Sequence, residues 1–176
     1  MGGRARTAFD SMIDRLRPAR EEDITDIARI ERSSFADPWS EESFRRIMGG
    51  HSAIFQVLVL GREKVVAGYI IAFVIGPDAE LLNVAVDPAF RRRGLAGQML
   101  DAVLIQLGSN GVRTAFLEVR ESNRAARALY GSRDFQEIGR RRNYYRRPVE
   151  DALVMRRLLD VAADDEKESA GSFADR

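Results

Sequence analysis

The spacing of apolar positions divides the chain into short elements whose period changes partway along. Leu16-Arg17-Pro18-Ala19 reads as a brief strand entering the fold. Ile24, Ile27, Ala28 and Glu31 then follow helical spacing, behind acids at Glu21 and Glu22 that favour the positive end of a helix. Asp37-Pro38-Trp39-Ser40 is a turn, and Ser40 with Glu41, Glu42 and Ser43 predicts an N-capped second helix ending at Gly49-Gly50. Beyond it, β-branched runs at Ile54 to Leu60 and Lys64 to Ile75, divided by Gly61-Arg62-Glu63, predict a hairpin. A third strand, Leu81 to Val86, follows a Gly76-Pro77-Asp78 turn. Leu100, Val103, Leu104 and Leu107 form an i, i+3, i+4, i+7 stripe on a helix from Gly94 to Gly108. Thr114 to Val119 is a strand after Asn110-Gly111. Asn123 caps a helix to about Arg133, with Ala126, Leu129 and Tyr130 facing inward or toward a cleft. Gln136 to Arg141 and Leu153 to Arg157 are the closing strands. This order predicts an α/β fold with a mixed sheet, in one domain over 15–159. Residues 1–14 show no period and are expected to be a flexible leader; the acidic stretch 160–176 is expected to be a disordered tail.

Composition narrows the chemistry. A length of 176 residues, 45% hydrophobic and 31% charged, suits one soluble domain with a single core. The chain has no cysteine and one histidine, His51, beside Gly49-Gly50. That excludes a disulfide scaffold, a thiolate metal site, a cysteine nucleophile and a histidine-rich centre, and no metal is expected. Net charge is +1, but arginines cluster at Arg91 to Arg93 and at Arg140, Arg141, Arg142, Arg146 and Arg147. Such clusters point to local anionic ligands, not to the broad basic face of a nucleic-acid binder. The longest apolar run, Val65 to Ile75, is too short for a bilayer, which takes about 20 residues. Arg4 and Arg6 are followed by no apolar segment, so no secretory signal is read and a cytoplasmic setting is expected.

The most informative stretch is Leu81-Leu82-Asn83-Val84-Ala85-Val86-Asp87-Pro88 followed by Ala89-Phe90-Arg91-Arg92-Arg93-Gly94-Leu95-Ala96-Gly97. A strand ends, a proline turn follows, and a glycine loop opens a helix. First-turn amides and the helix dipole make an anion site there. Gly94, Ala96 and Gly97 leave room for a phosphate, and arginines add charge-assisted bonds. A helix start with solvated arginines and a packing glycine fits the same residues. There is no Gly-Lys-Ser/Thr ending and no G-x-G-x-x-G, so an ATP or dinucleotide loop is not expected.

Arg91-x-x-Gly94-x-Ala96 resembles the R/Q-x-x-G-x-G/A motif with which GNAT acetyltransferases grip the pyrophosphate of acetyl-coenzyme A. Further segments resemble the RimI-like branch of that family: Phe35-Ala36-Asp37-Pro38-Trp39-Ser40, Asn83 to Pro88, Leu117-Glu118-Val119-Arg120-x-Ser122-Asn123, Ala128-Leu129-Tyr130, Arg142-Asn143-Tyr144-Tyr145 and Glu150-Asp151-Ala152. The resemblance spans about Leu16 to Leu158. It implies a GNAT fold, with a mostly antiparallel sheet splayed at the coenzyme site and about four flanking helices. It also implies acetyl transfer from acetyl-coenzyme A to a protein N-terminus, the ribosomal-protein-alanine type, without an acyl-enzyme. By the same resemblance Val84, Ala85, Val86, Arg91, Arg92, Arg93, Gly94, Leu95, Ala96, Gly97, Asn123 and Tyr130 border the coenzyme. Trp39, Asn83, Glu118, Tyr144 and Tyr145 border the acceptor.

The reaction needs an amine stripped of a proton, a polarised carbonyl and a stabilised thiolate. Glu118, in the apolar strand Ala115-Phe116-Leu117-Glu118-Val119, is a candidate base whose pKa strand burial would raise; pairing with Arg113 or Arg120 would give it a structural role instead. The resemblance makes it the base, acting through water. Tyr130 lies seven residues after Asn123, on the same helix face. Its phenol, with pKa near 10, can serve a thiolate whose acid has pKa near 8.5, though a core tyrosine would look the same. The resemblance makes it the acid. Asn123 is explained by capping alone, and Trp39, Tyr144 and Tyr145 by aromatic burial. The resemblance also implies that a main-chain amide near Val86 polarises the carbonyl. Arg146-Arg147-Pro148-Val149 departs from the branch's pattern after Tyr-Tyr, which leaves a lysine or small-molecule amine open as the acceptor. A remoter alternative is an RNA- or ribosome-binding module using the Arg140–Arg147 stretch.

Overall fold

The structure, a computed structural model, describes residues 16–61 and 64–160. The expected leader over 1–14 lies outside the described residues, as does the expected tail apart from Asp160. The elements are β1 (Leu16–Pro18), α1 (Ile24–Ser34), α2 (Glu41–Met48), β2 (Ala53–Leu60), β3 (Val65–Ile75), β4 (Asp78–Val86), α3 (Leu95–Ser109), β5 (Thr114–Arg120), α4 (Arg124–Gly131), β6 (Gln136–Arg146) and β7 (Val149–Leu158). Short 3-10 turns at Glu21–Asp23 and Pro88–Phe90 lead into α1 and toward α3.

All seven strands form one sheet in the order β1-β2-β3-β4-β5-β7-β6. Every neighbouring pair is antiparallel except β4–β5, which is parallel, as a connection through α3 requires. The expected mixed, mostly antiparallel sheet and four helices are therefore present. The helices cover the sheet on both faces. On one side Ile24, Ile27, Ala28 and Ile30 of α1 and Phe44 of α2 bury against Phe55, Val57, Tyr69 and Ile71. On the other, the α3 stripe of Leu100, Val103, Leu104 and Leu107 buries against Ile70, Leu81, Ala115 and Leu117. Fully burying such side chains stabilises by about 1.5–3 kcal/mol each, so these two stripes dominate the local energetics. Gly68 makes the α3 contact possible: a Cβ there would lie 2.7 Å from the Ala85 carbonyl and 2.9 Å from Met99 Cε.

Three strand boundaries differ from the sequence expectation by three residues or more. β4 begins at Asp78 because its first residues pair with the end of β3, Ile75 opposite Asp78. β6 runs on to Arg146 and β7 begins at Val149. The ladder between them breaks from Arg141–Ala152 to Tyr145–Glu150, so Arg142, Asn143 and Tyr144 bulge opposite Asp151 alone. Asn143 takes a left-handed φ of 52°, and the Asp151 carboxylate accepts its amide at 2.9 Å.

Candidate active site

The site grows from a fault in the sheet. β4 and β5 pair from Asp78–Thr114 to Leu81–Leu117 and no further. Beyond that point β4 stays with β3 and β5 stays with β7. At the same level Leu82 is an extra residue in β4, since Leu81 faces Ala72 and Asn83 faces Ile71. A bulge adds local twist and turns the strand away. The β5-facing backbone of Leu82–Val86 thus borders an open wedge. A cleft of about 700 Å³ fills it, lined by Trp39, Asn83, Val84, Glu118, Asn123, Tyr130, Tyr144 and Tyr145 among others.

From the end of β4 the chain runs through the turn at Pro88–Phe90 to the start of α3. Gly94 is its N-cap with φ 72°, a left-handed value that favours glycine, and it offers no capping side chain. Gln98 N–H to Gly94 C=O, 3.1 Å, is the first helical bond. Among the described residues, none of the amides from Arg92 to Gly97 meets a protein acceptor. With the helix dipole behind them they form an anion site. The preceding turn is strapped down. Asp87 accepts Ala89 N–H at 2.8 Å and the Arg29 guanidinium of α1. Burial pushes the Asp87 carboxyl up, but these two bonds outweigh it and hold it below the usual range.

The three arginines of the turn sit in different surroundings. Arg91, itself exposed, reaches back over the turn: its Nε donates to Val86 C=O at 3.0 Å and its Nη2 to Ser34 Oγ at 3.0 Å. Its guanidinium is engaged in bracing the turn. Arg92 and Arg93 are exposed, Arg93 lying 5.4 Å from the Phe90 ring centroid. Gly97 is buried, and a Cβ on it would meet the Arg133 guanidinium, so the glycine serves packing between α3 and the end of α4.

On the β5 wall, Ala115, Leu117 and Val119 point into the core while Glu118 points to the cleft. Its ion partner is neither Arg113 nor Arg120 but Arg141, Nε to Oε1 2.9 Å. The apolar strand therefore does not isolate the carboxylate. Arg141 also stands 5.5 Å from the Tyr144 ring centroid. The neighbouring Glu118 carboxylate, with burial, pushes the Tyr144 phenol up to about 12. Arg120 is held by Glu150 at 3.2 Å and sits 4.0 Å from the Tyr145 ring centroid, and Tyr144 and Tyr145 meet edge-on at 5.2 Å. The bulge of β6 is what places both tyrosines at the cleft mouth.

Asn123 and Tyr130 both reach the cleft from α4. Asn123 does cap the helix, accepting Ala126 N–H at 3.1 Å. Tyr130 packs its edge on Phe135 at 5.8 Å. Burial, with a smaller contribution from Tyr145, pushes its phenol up to about 12, above the value near 10 expected from the sequence.

Two residues on the β4 side of the site are assigned no chemistry in the sequence. Glu31, which there simply continues a helical stripe, is buried at 1% exposure. It accepts Trp39 N–H at 3.0 Å, Asn83 Nδ2 at 3.4 Å and the hydroxyl of Tyr69. Tyr69, which in the sequence only interrupts an apolar run, is fully buried. Desolvation pushes Glu31 up against the three donors, and burial with the Glu31 charge pushes the Tyr69 phenol far up. The one sequence hint is an acidic residue at a core position of α1. Trp39 is half-buried, 5.9 Å from Phe44. Among the described residues no group of acidic or histidine side chains is placed to hold a metal, and no helix is long and apolar enough to cross a membrane.

Comparison with known proteins reads the same architecture. The sequence pattern of the Acetyltransferase (GNAT) family matches residues 24–135. The [Ribosomal protein bS18]-alanine N-acetyltransferase of Salmonella typhimurium is 42% identical over 129 residues, 72% of this chain and 85% of that protein. Its Escherichia coli counterpart is 40% identical over 137 residues, 76% and 89% of the two chains. The crystal structure of the ribosomal-protein-S18-alanine N-acetyltransferase from Escherichia coli superposes with a TM-score of 0.76 at 36% identity, covering 85% of this chain and 96% of that one. Ard1 from Thermoplasma volcanium superposes with a TM-score of 0.75 at 26% identity, covering 82% and 96%. A wedge opened by a bulge beside an uncapped helix start, on a chain so closely related to these enzymes, has one reading: the chain belongs to the GNAT acetyltransferase family, in its RimI-like branch, and is an N-acetyltransferase.

Proposed function

We propose that this enzyme acetylates the N-terminal α-amino group of a protein, of the ribosomal-protein-alanine type, with Glu118 and Tyr130 as its catalytic residues. The observation that carries the reading is the wedge itself. Glu118 and Tyr130 stand on its walls, and its β4 side leads along the chain to the unpaired amides at the start of α3. The names of the relatives at 40–42% identity support the acceptor class.

The amides of Arg92–Gly97 suit the diphosphate of acetyl-coenzyme A, and the β5-facing backbone of Val84–Val86 suits its extended arm. When bound, acetyl-coenzyme A supplies a thioester carbonyl and a leaving thiolate. A main-chain amide near Val86 polarises that carbonyl. Glu118, its rotamer fixed by Arg141, takes the proton of the amine through a water. Tyr130 faces the departing sulfur. Burial pushes its phenol up to about 12, which disfavours full proton transfer to the thiolate. Its contribution is therefore a hydrogen bond that stabilises the thiolate until the product leaves.

The choice of an α-amine fits a modest base. Its pKa of about 7.7–8.0 against about 10.4 for lysine is worth roughly 3.4 kcal/mol in available neutral amine. Tyr144, Tyr145 and Trp39 form a peptide-sized mouth around the site. The test is mass spectrometry of a peptide array incubated with enzyme and acetyl-coenzyme A. Acetylation confined to the α-amine of alanine-starting peptides is the expected result. Product only on blocked lysine peptides or polyamines would replace the acceptor class.

A further inference from the structure

Among the described residues three acidic side chains are buried: Asp23 at 3%, Glu31 at 1% and Asp87 at 6% exposure. Asp23 is bound by Arg17 at 2.7 Å and Asp87 by Arg29. Glu31 has no lysine or arginine partner among the described residues; three neutral donors hold it instead. Burying a carboxylate without a cation is costly, so its persistence on the wall of the acceptor cleft calls for a reason.

The hydrogen-bond directions supply one. A carboxylate only accepts. Tyr69, whose O–H donates to Glu31, turns a lone pair to Asn83 Nδ2 at 3.3 Å. Both inner neighbours of Asn83 thus demand a donor, and the amide nitrogen faces them. Asn83 Oδ1 accepts nothing among the described residues, and Asn83 lines the cleft.

We propose that Glu31 is a positioning residue for the acceptor amine: acting through Tyr69 and Asn83, it holds the Asn83 Oδ1 outward as the hydrogen-bond acceptor for the incoming α-ammonium group. The inference rests on the N-terminal acceptor proposed above. It adds a recognition role to the β4 wall, opposite the base on β5. The uncompensated charge of Glu31 favours the cationic form of the amine as it arrives, and Glu118 then removes the proton.

The experiment measures peptide KM with an alanine-starting peptide at saturating acetyl-coenzyme A, and acetyl-coenzyme A affinity by calorimetry. Glu31→Gln gives Asn83 a partner that can donate, so its amide is free to turn. Peptide KM should rise about tenfold or more, the size of a lost hydrogen bond to a charged group, while coenzyme affinity stays within about twofold. Combining Glu31→Gln with Asn83→Asp restores the polarity. The new side-chain amide at position 31 then donates to a carboxylate at position 83, whose second oxygen remains outward. The double variant should recover peptide KM to within about threefold of wild type, which a merely structural role would not predict. Should Glu31→Gln fail to fold, Asn83→Ala removes the outward oxygen alone and should raise KM likewise. Peptide KM unchanged in Asn83→Ala, or coenzyme affinity lost together with KM in Glu31→Gln, overturns the inference. Wild-type enzyme inactive on every N-terminal peptide would instead overturn the acceptor assignment on which it rests.

Discussion

Helices α3 and α4 treat their first-turn amides in opposite ways. At α4 the Asn123 side chain accepts Ala126 N–H at 3.1 Å. At α3 the N-cap is Gly94, and the amides through Gly97 stay unpaired among the described residues. A cap contributes about 1 kcal/mol. Helix α3 can do without it because Met99, Leu100, Val103 and Leu107 are fully buried, each worth about 1.5–3 kcal/mol. Helix α4 has no fully buried residue and cannot. A helix start can satisfy itself or serve an anion, and packing elsewhere decides which is possible.

Closing the open start should have the largest effect. Gly94→Asp would supply the missing carboxylate, at a left-handed φ, and repel a diphosphate. Acetyl-coenzyme A affinity measured by calorimetry should fall more than about a hundredfold, roughly 3 kcal/mol. A change below about threefold would detach the α3 amides from coenzyme binding. Next comes Tyr130→Phe, which leaves α4 and its cap intact. Turnover should drop about a hundredfold with coenzyme affinity nearly unchanged. Because the wild-type phenol is pushed up to about 12, the kcat profile should show no alkaline fall from this group up to about pH 10. Equal turnover in the phenylalanine variant would end its assignment as thiolate partner.

Opening the closed start should cost stability more than function. Asn123→Ala should lower the melting temperature by about 2–4 °C, the equivalent of about 1 kcal/mol, with coenzyme affinity shifted by less than about threefold. A large affinity loss would make Asn123 a ligand as well as a cap. The smallest effect concerns the strap leading to α3. The folded-state pKa of Asp87 lies below the value it would have unfolded, so its stabilising contribution is present above about pH 3.8 and fades as pH falls through that range. In acid denaturation, Asp87→Asn should flatten that limb; an unaltered limb would show that the Arg29 contact does not couple to folding.

How far the sequence can be read follows from the range of the interactions. Ser40 and Asn123 cap partners three residues away, and both caps are legible from neighbours alone. The α3 stripe likewise declares itself by period. Glu31 meets Tyr69 and Asn83, 38 and 52 residues on, and no local pattern encodes such a meeting. Glu118 finds Arg141 on a strand that does not pair with β5, because β7 lies between them. The ends of β6 and β7 escape prediction because a three-residue bulge rich in arginine and tyrosine does not alternate. For the Arg-Gly turn, resemblance locates the loop, but only the structure sets Arg91, bonded to Val86 and Ser34, apart from Arg92 and Arg93.

The extra residue in β4 acts as a half-period phase shift. Ala79 and Leu81 before it, and Val84 and Val86 after it, all face α3, while Asn83 and Ala85 face α1. Parity along an unbroken strand would have sent Asn83 to the α3 side with Leu81. The meeting of Asn83 with Glu31 is thus specified by counting as much as by chemistry. Excising Leu82 would restore strict alternation with each remaining side chain on its present side, yet remove the kink that parts β4 from β5. The same set of residues would then stand on an unbroken sheet with no room between the strands for a substrate.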